Sequence, residues 1–432
     1  MIAAVLLATA CAAPFIARRL SGDLFPPAAI VVTMWAGTLG LLALSWLPYL
    51  PISTDTWWLL STTGVVLLGT TLAGAWAGER WSQGPRRVVM LGAAEVWVLV
   101  YALLGLAGLA WYVYSVVSRF GWIFGNGQEL RYHLWTLAIP SHYLFLQQFC
   151  SATGLLTWSL LLTGARIGRV PLAMAVAASA ATLATTDRTQ FFSLVATGVF
   201  MYLLRHGPRL PIRRILLLTV GAPALLVANF LVIGAWTGKT TSGVSVRLRW
   251  PGAEVDSARA RLVEAVQGGA VLYVYATASY PALSQYLETE HQRTKGAHTL
   301  FPVARLLQRA GLWPGELPPA IPAFVTIGTR EDGLPLTTNV YTFLFYPLED
   351  FGPTGALFYA AAVGVVCGWA YGWARTMRES PARLLVAGQV CTALALTFFV
   401  NKFNNTAWWY VLACTVAPFV VTRLMRRHDS AA

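Results

Sequence analysis

Few side chains in this 432-residue sequence have the type and spacing to do chemistry, and most lie at the edges of apolar stretches. Arg188 stands beside Asp187, between the apolar stretches 170–186 and 190–204. A charge at membrane depth is costly, so it needs a partner or a task. Either Asp187 and Arg188 pair, with the carboxylate complementing the dipole of the next helix, or the guanidinium faces an external cavity and binds an anion, a phosphate foremost. A second run, Arg119-Phe-Gly-Trp-Ile-Phe-Gly-Asn-Gly-Gln-Glu129-Leu-Arg131-Tyr132-His133, mixes glycines, aromatics and cations. That mixture suits a sugar or a phosphate, and equally an aromatic belt at a membrane surface. A third run holds Arg330-Glu331-Asp332-Gly333, Thr337-Thr338-Asn339-Val340-Tyr341, Tyr346 and Glu349-Asp350-Phe351-Gly352. Polar side chains gathered where the chain enters an apolar stretch suggest the floor of a cavity. Acids that open a helix also serve as caps, so Asp350 has both readings.

Absent motifs narrow the chemistry. There is no Asp-x-Asp, no HExxH, no P-loop, no GxGxxG and no GxSxG. Metal-assisted sugar transfer, nucleoside triphosphate chemistry and serine hydrolysis lose their usual signatures. The five cysteines, Cys11, Cys150, Cys367, Cys391 and Cys414, all lie in apolar stretches and read as small core residues.

These residues need a scaffold, and the composition says which kind. The chain is 56% hydrophobic and 11% charged, with a mean hydropathy of +0.58. Soluble domains carry about 25% charged residues, so a soluble globular protein and a disordered chain are both excluded. The expected fold is an all-α polytopic membrane protein. Candidate spans are 1–17, 27–47, 57–77, 88–117, 142–163, 170–186, 190–204, 215–234, 353–374, 384–401 and 407–423, about 11 transmembrane helices. The first stretch lacks a basic leader, and Ala8-Thr9-Ala10 is a poor lipoprotein box before Cys11, so it reads as a retained span. The organisation is thus 1–234 with about eight spans, a long hydrophilic loop at 235–350, and 351–432 with about three more. Helical patches at Ala253–Val266 and Pro302–Ala310 are expected inside that loop.

Charge sets the orientation. The net charge is +13, and lysine occurs only at Lys239, Lys295 and Lys402, so nearly all the cations are arginine. Arginine favours bidentate contact with phosphate. No basic domain stands apart from the spans, which argues against a nucleic-acid partner and for anionic lipid. Arg18/Arg19, Arg80/Arg86/Arg87, Arg166/Arg169, Arg205/Arg209/Arg213/Arg214, Arg375/Arg378/Arg383 and Arg423/Arg426/Arg427 fall on alternate connections. The other short connections hold only Arg119, Arg131, Arg188 and Lys402. By the positive-inside rule the N-terminus is outside, the C-terminus inside and the long loop external.

Several stretches resemble one family. Asn339-Val340-Tyr341-Thr342 followed by Asp350-Phe351-Gly352-x-x-Gly355, Asp187-Arg188-Thr189 at a span mouth, Tyr280-Pro281-Ala282-Leu283 with Tyr286, and Gly296-Ala297-His298-Thr299-Leu300-Phe301-Pro302 look like the Wzy-type oligosaccharide repeat-unit polymerases, or O-antigen polymerases. The many-span layout with one large late loop resembles them too. The resemblance implies a bacterial inner-membrane glycosyltransferase of the C type (GT-C), related in fold to the O-antigen ligases, with donor and acceptor repeat units linked to undecaprenyl diphosphate. It implies no metal and no cofactor; its partners would be the lipid bilayer, a flippase and a chain-length co-polymerase. Arg188, helped by Arg131 and Arg330, would bind the diphosphate. Asp350, Glu331, Asp332 and His298 would be the candidate bases. Tyr280, Tyr341, Asn339 and Thr338 would hold sugar hydroxyls. The ligase relatives use a histidine late in the external loop, and only His298 is a candidate equivalent. A ligase would differ in its acceptor alone. A transporter of lipid-linked sugar or polysaccharide would place charges in mid-span, whereas here Glu95 is the main such exception.

Overall fold

A lone segment in lipid can satisfy its backbone groups only as a helix, and the uncharged Ala-, Leu-, Val- and Gly-rich stretches are helical. The computed structural model describes residues 1–82, 93–121, 141–185, 188–207, 270–289, 293–294, 296–313, 323–330 and 333–429, with isolated positions between 210 and 228 and at 317. Within these, α1 (Ile2–Ser21), α2 (Pro27–Leu42), α3 (Thr54–Trp81), α4 (Ala94–Phe120), α5 (Ser141–Leu162), α6 (Arg169–Ala181) and α7 (Arg188–His206) come first. Next come α8 (Ala270–Thr277), α9 (Ser279–Leu287), α10 (Phe301–Arg309) and a hairpin of β1 (Val325–Thr329) and β2 (Pro335–Thr338). The chain closes with α11 (Phe345–Arg375), α12 (Pro381–Ala395) and α13 (Thr406–Asp429). Among the described residues, five helices are long and apolar enough to cross a membrane: Ile2–Ser21, Thr54–Trp81, Ala94–Arg119, Phe345–Arg375 and Thr406–Arg426. The architecture is mostly helical and consistent with a multi-pass helical membrane protein.

A helix occupies every expected apolar stretch except 215–234, which lies outside the described residues save for isolated positions. The break expected between 170–186 and 190–204 separates α6, with its 3-10 extension Thr182–Thr185, from α7. Of the helices expected in the long loop, α10 matches Pro302–Ala310, and Ala253–Val266 lies outside the described residues. The sequence reading had no counterpart for α8, α9 or the hairpin.

The chain divides into two compact units. The first comprises Met1–Trp76, Gly243–Trp369 and Ala393–Thr406. Its helices approach closely at glycines. A Cβ on Gly364 would meet Thr70 Oγ1, one on Gly368 would meet Thr71 O, and one on Gly74 would meet Val365 O, so α3 and α11 touch backbone to backbone. Trp35 of α2 donates from Nε1 to Thr397 Oγ1 at 2.9 Å and sets ring edges against Tyr280 and Phe343. The hairpin is antiparallel, with Val325 opposite Thr338 and Thr329 opposite Pro335. Tyr49 bridges to Gly328 on its edge, and Leu50 N donates to Ile327 O at 2.8 Å.

The second unit comprises Ala77–Ser242, Ala370–Thr392 and Ala407–Ala432. Gly105 and Gly108 of α4 lie against the α5 backbone at Cys150 and Gln147. The buried cluster there is Ala102, Leu109, Tyr112, Val116, Cys150 and Ala178. Helix ends carrying the arginine clusters meet one another. Arg375 pairs with Glu79 at 2.6 Å and Arg205 with Glu379 at 3.6 Å. Arg378 donates to Leu204 O at 2.7 Å, and Arg205 Nε donates to Leu162 O at 3.2 Å. Cations near the final carbonyls of helices are favoured by the dipole. Glu95, expected in mid-span, lies in the first turn of α4, and its Oε1 accepts the Gly168 N–H at 2.5 Å.

Candidate functional site

The start of α11 is built around a break. Gly352 has φ 72, outside the helical region, and Pro353 follows it. Proline has no N–H, so Glu349 O loses its helical donor, and the kink frees Phe351 O as well. Residues 293–294 supply both replacements. Thr294 N donates to Glu349 O at 3.3 Å, and Arg293 Nη1 donates to Phe351 O at 3.0 Å. The Arg293 guanidinium lies over Gly352, where any Cβ would strike it at 2.7 Å.

Asp350 then clamps the following turn. Its Oδ1 accepts from Thr294 Oγ1 at 2.5 Å and from His298 N at 3.3 Å, and its Oδ2 accepts from Thr299 N at 2.5 Å. Gly296, at φ 96, lets the turn reverse. This clamp sets His298 Nε2 3.1 Å from Glu349 Oε2 and stacks the imidazole on Tyr346, ring centroids 5.6 Å apart. Asn404 hydrogen-bonds Tyr346 in turn. Tyr286 and Tyr341 complete an aromatic wall: Tyr341 stacks on Phe345 at 4.1 Å, and Tyr286 meets Phe345 edge-on at 4.8 Å.

Burial lowers the His298 pKa below the ordinary histidine value, and the nearby Asp350 charge opposes this only in part. The imidazole is therefore neutral at neutral pH and free to accept a proton. Burial, with Glu349 second, pushes the Tyr341 phenol up to about 12 and the Tyr286 phenol above its usual range. Both remain neutral hydrogen-bond donors. Two acceptors are left open: Glu349 Oε2 and Thr299 Oγ1 are buried with no hydrogen bond among the described residues. A hydroxyl-bearing ligand would satisfy such atoms. Burial, with the Asp350 charge second, pushes the Glu349 carboxyl up to about 7; a neutral imidazole beside it can take a proton from a hydroxyl, and the ionised form of Glu349 then steadies the imidazolium.

The residues expected at a site fall into three groups. His298 and Asp350 come together. Asp350 has three donors on its carboxylate, so it holds the turn and is poorly suited to act as a base. Tyr341 also stands at the site, although its hydroxyl already donates to Ala323 O at 3.1 Å. Thr338 Oγ1 accepts the Val340 N–H at 3.1 Å at the end of β2, with half-buried Asn339 beside it. Arg330 is half-buried at the hairpin turn, where its N–H bonds to Leu334 O at 2.8 Å. Tyr280 is different: its side chain is 0% exposed and its hydroxyl lies 2.6 Å from Thr38 Oγ1. An aromatic ring at that depth packs the core, so its expected contact with sugar hydroxyls is not what the fold uses it for. Arg131, Glu331 and Asp332 lie outside the described residues, and Arg188 opens α7 with its side chain outside them.

Sequence reasoning placed Glu349 in the polar run before α11 without a role of its own, and it gave no role to Arg293, Thr294 or Thr299. The available signal was the Gly352-Pro353 break just beyond two adjacent acids, which demands outside donors. Among the described residues, no three His, Cys, Asp or Glu side chains gather as metal ligands. Comparison with protein-family models, curated proteins and solved structures finds no match to this chain.

Proposed function

We propose that this chain is a Wzy-type repeat-unit polymerase: a GT-C membrane glycosyltransferase with about eleven spans in the bacterial inner membrane. Its long loop is external and its C-terminus cytoplasmic. Donor and acceptor are oligosaccharides on undecaprenyl diphosphate. The acceptor hydroxyl attacks the anomeric carbon of the donor sugar, a C–O bond forms, and the bond to the lipid diphosphate breaks. The hydroxyl proton passes to the unprotonated ring nitrogen of His298, and the leaving diphosphate carries away the electron pair. Fixed guanidinium groups offset the charge that develops on it; Arg188 is first among these, with Arg131 and Arg330.

The observation that carries this reading is the neutral His298 imidazole beside Glu349, held by Asp350 where the external loop meets α11. A histidine late in the external loop is what the ligase relatives of that family use, and His298 is the candidate equivalent. The test is a glycan ladder in a host lacking its own polymerase and supplied with the cognate repeat unit. Wild type should give a ladder, and His298→Ala and Arg188→Ala should each leave single repeats. Single repeats joined to a terminal acceptor would make the protein a ligase. Repeat units stranded on the inner leaflet, with no change in any glycan, would replace the enzyme with a transporter.

A further inference from the structure

Helix α10 has an apolar side that none of the described residues of its unit covers. Of its nine residues only Ala304 is buried. Leu300 is 50% exposed, Val303 51% and Leu306 66%, and Leu312 just beyond is 70% exposed. At 3.6 residues per turn, Leu300, Val303 and Leu306 share one stripe, while Arg305 and Arg309 lie together on an adjoining side. The helix contains no acid. A stripe of this kind in water is unfavourable and marks an interaction surface.

Its position says what covers it. Thr299, two residues before α10, donates to Asp350, three residues before the apolar body of α11 begins at Pro353. The start of α10 is therefore bonded to the point where a crossing helix starts. In the same unit, exposed Trp57 and Trp58 occupy the first turn of α3, the placement of an interfacial aromatic belt. Short amphipathic helices with basic polar faces lie in the plane of a membrane, their apolar side among the upper acyl carbons and their cations against anionic headgroups.

We infer that α10 is an interfacial anchor, with the Leu300–Val303–Leu306 stripe in the acyl boundary of the leaflet at which α11 begins and Arg305 and Arg309 against anionic phospholipid. The His298 turn, directly continuous with α10, is thereby held at the membrane surface, where a lipid-linked substrate would present its headgroup. The anchor itself requires only the membrane and not the glycosyltransferase reading.

The experiment uses the full chain in a Cys11→Ser background, reconstituted in vesicles containing phosphatidylglycerol. Single cysteines at Leu306→Cys and Gln308→Cys carry an environment-sensitive fluorophore, with the parent protein as blank. Both positions are exposed, so substitution leaves the fold in place. The label at 306 should emit to the blue and be quenched several-fold more by nitroxide lipid than the label at 308, and water-soluble iodide should reverse that order. Arg305→Gln with Arg309→Gln should weaken the lipid quenching at 306. Equal iodide quenching at both positions would overturn the inference. A 306 label shielded from both quenchers and crosslinked to a second copy would also overturn it, because the occupant would then be protein.

Discussion

Glu349 and Asp350 are neighbours in sequence but differ in what they hold. The Asp350 carboxylate accepts from Thr294, His298 and Thr299, whereas Glu349 Oε2 lies 3.1 Å from His298 Nε2 and accepts no hydrogen bond among the described residues. Asp350→Ala strands buried donors, each costing about 1–3 kcal/mol. We expect a clearly lower melting temperature in detergent for Asp350→Ala and near wild-type melting for Glu349→Gln. Equal losses in the two variants would show that the clamp is not what orders the turn. The depressed His298 pKa gives a second prediction. Between its folded value and the unfolded value near 6.5, the unfolded chain binds more protons than the folded one. This contribution to stability is complete above about 6.5 and is lost as pH falls through that interval. Melting followed against pH should show wild type losing more stability on acidification than His298→Gln. Parallel curves would contradict a buried neutral imidazole. His298 was visible in the sequence because of its motif context. Glu349 was not, because adjacent acids before an apolar stretch look alike whether they cap a helix or face a cavity.

The elements themselves were largely legible, since twenty uncharged residues admit few alternatives. The legibility failed where the local signal was weak or contradictory. Residues 270–287 are apolar but form two short helices of 8 and 9 residues, and they lie inside a stretch whose polar average reads as loop. The hairpin has strands of five and four residues, and its second begins at Pro335, which obscures the alternation. Glu95 looked like a mid-span charge because hydropathy starts the helix at about residue 88, whereas α4 starts at Ala94. How two helices pair was not legible either, because glycines at close contacts look like glycines elsewhere. On α3, Gly69 has nothing within 4 Å of a built Cβ, whereas Gly74, Gly364 and Gly368 would collide with the opposing helix. Gly368→Ala should therefore cost about 1–3 kcal/mol through overpacking, while Gly69→Ala should be neutral or mildly stabilising. Thermal unfolding of the two variants in one detergent checks this, and equal behaviour would mean that α3 and α11 do not meet as described.

At the scale of the whole molecule, arginine placement alone led to the expectation that alternate connections share one side. The second unit brings several of those connections into contact: Arg205 meets Leu162 and Glu379, Arg378 meets Leu204, Arg375 meets Glu79, and Gly168 meets Glu95. The meeting of four cationic connections within this unit is what crossings between them would produce. The same logic fixes what α11 must do. From Pro353 to Arg375 it is helical throughout, a length of roughly 34 Å at about 1.5 Å per residue, against a hydrocarbon core of about 30 Å. A segment of that length and composition is long and apolar enough to cross. Leu334, in the hairpin before α11, and Glu379, just past its end, are both exposed. Single cysteines at these positions in a Cys11→Ser background should react differently with a membrane-impermeant maleimide applied to intact spheroplasts. Leu334→Cys should label at once, and Glu379→Cys only after permeabilisation. Prompt labelling of both would mean that α11 does not cross. The reverse order would mean that the arginine-rich ends face outward, and the His298 turn would then face a compartment where no external glycan could be assembled.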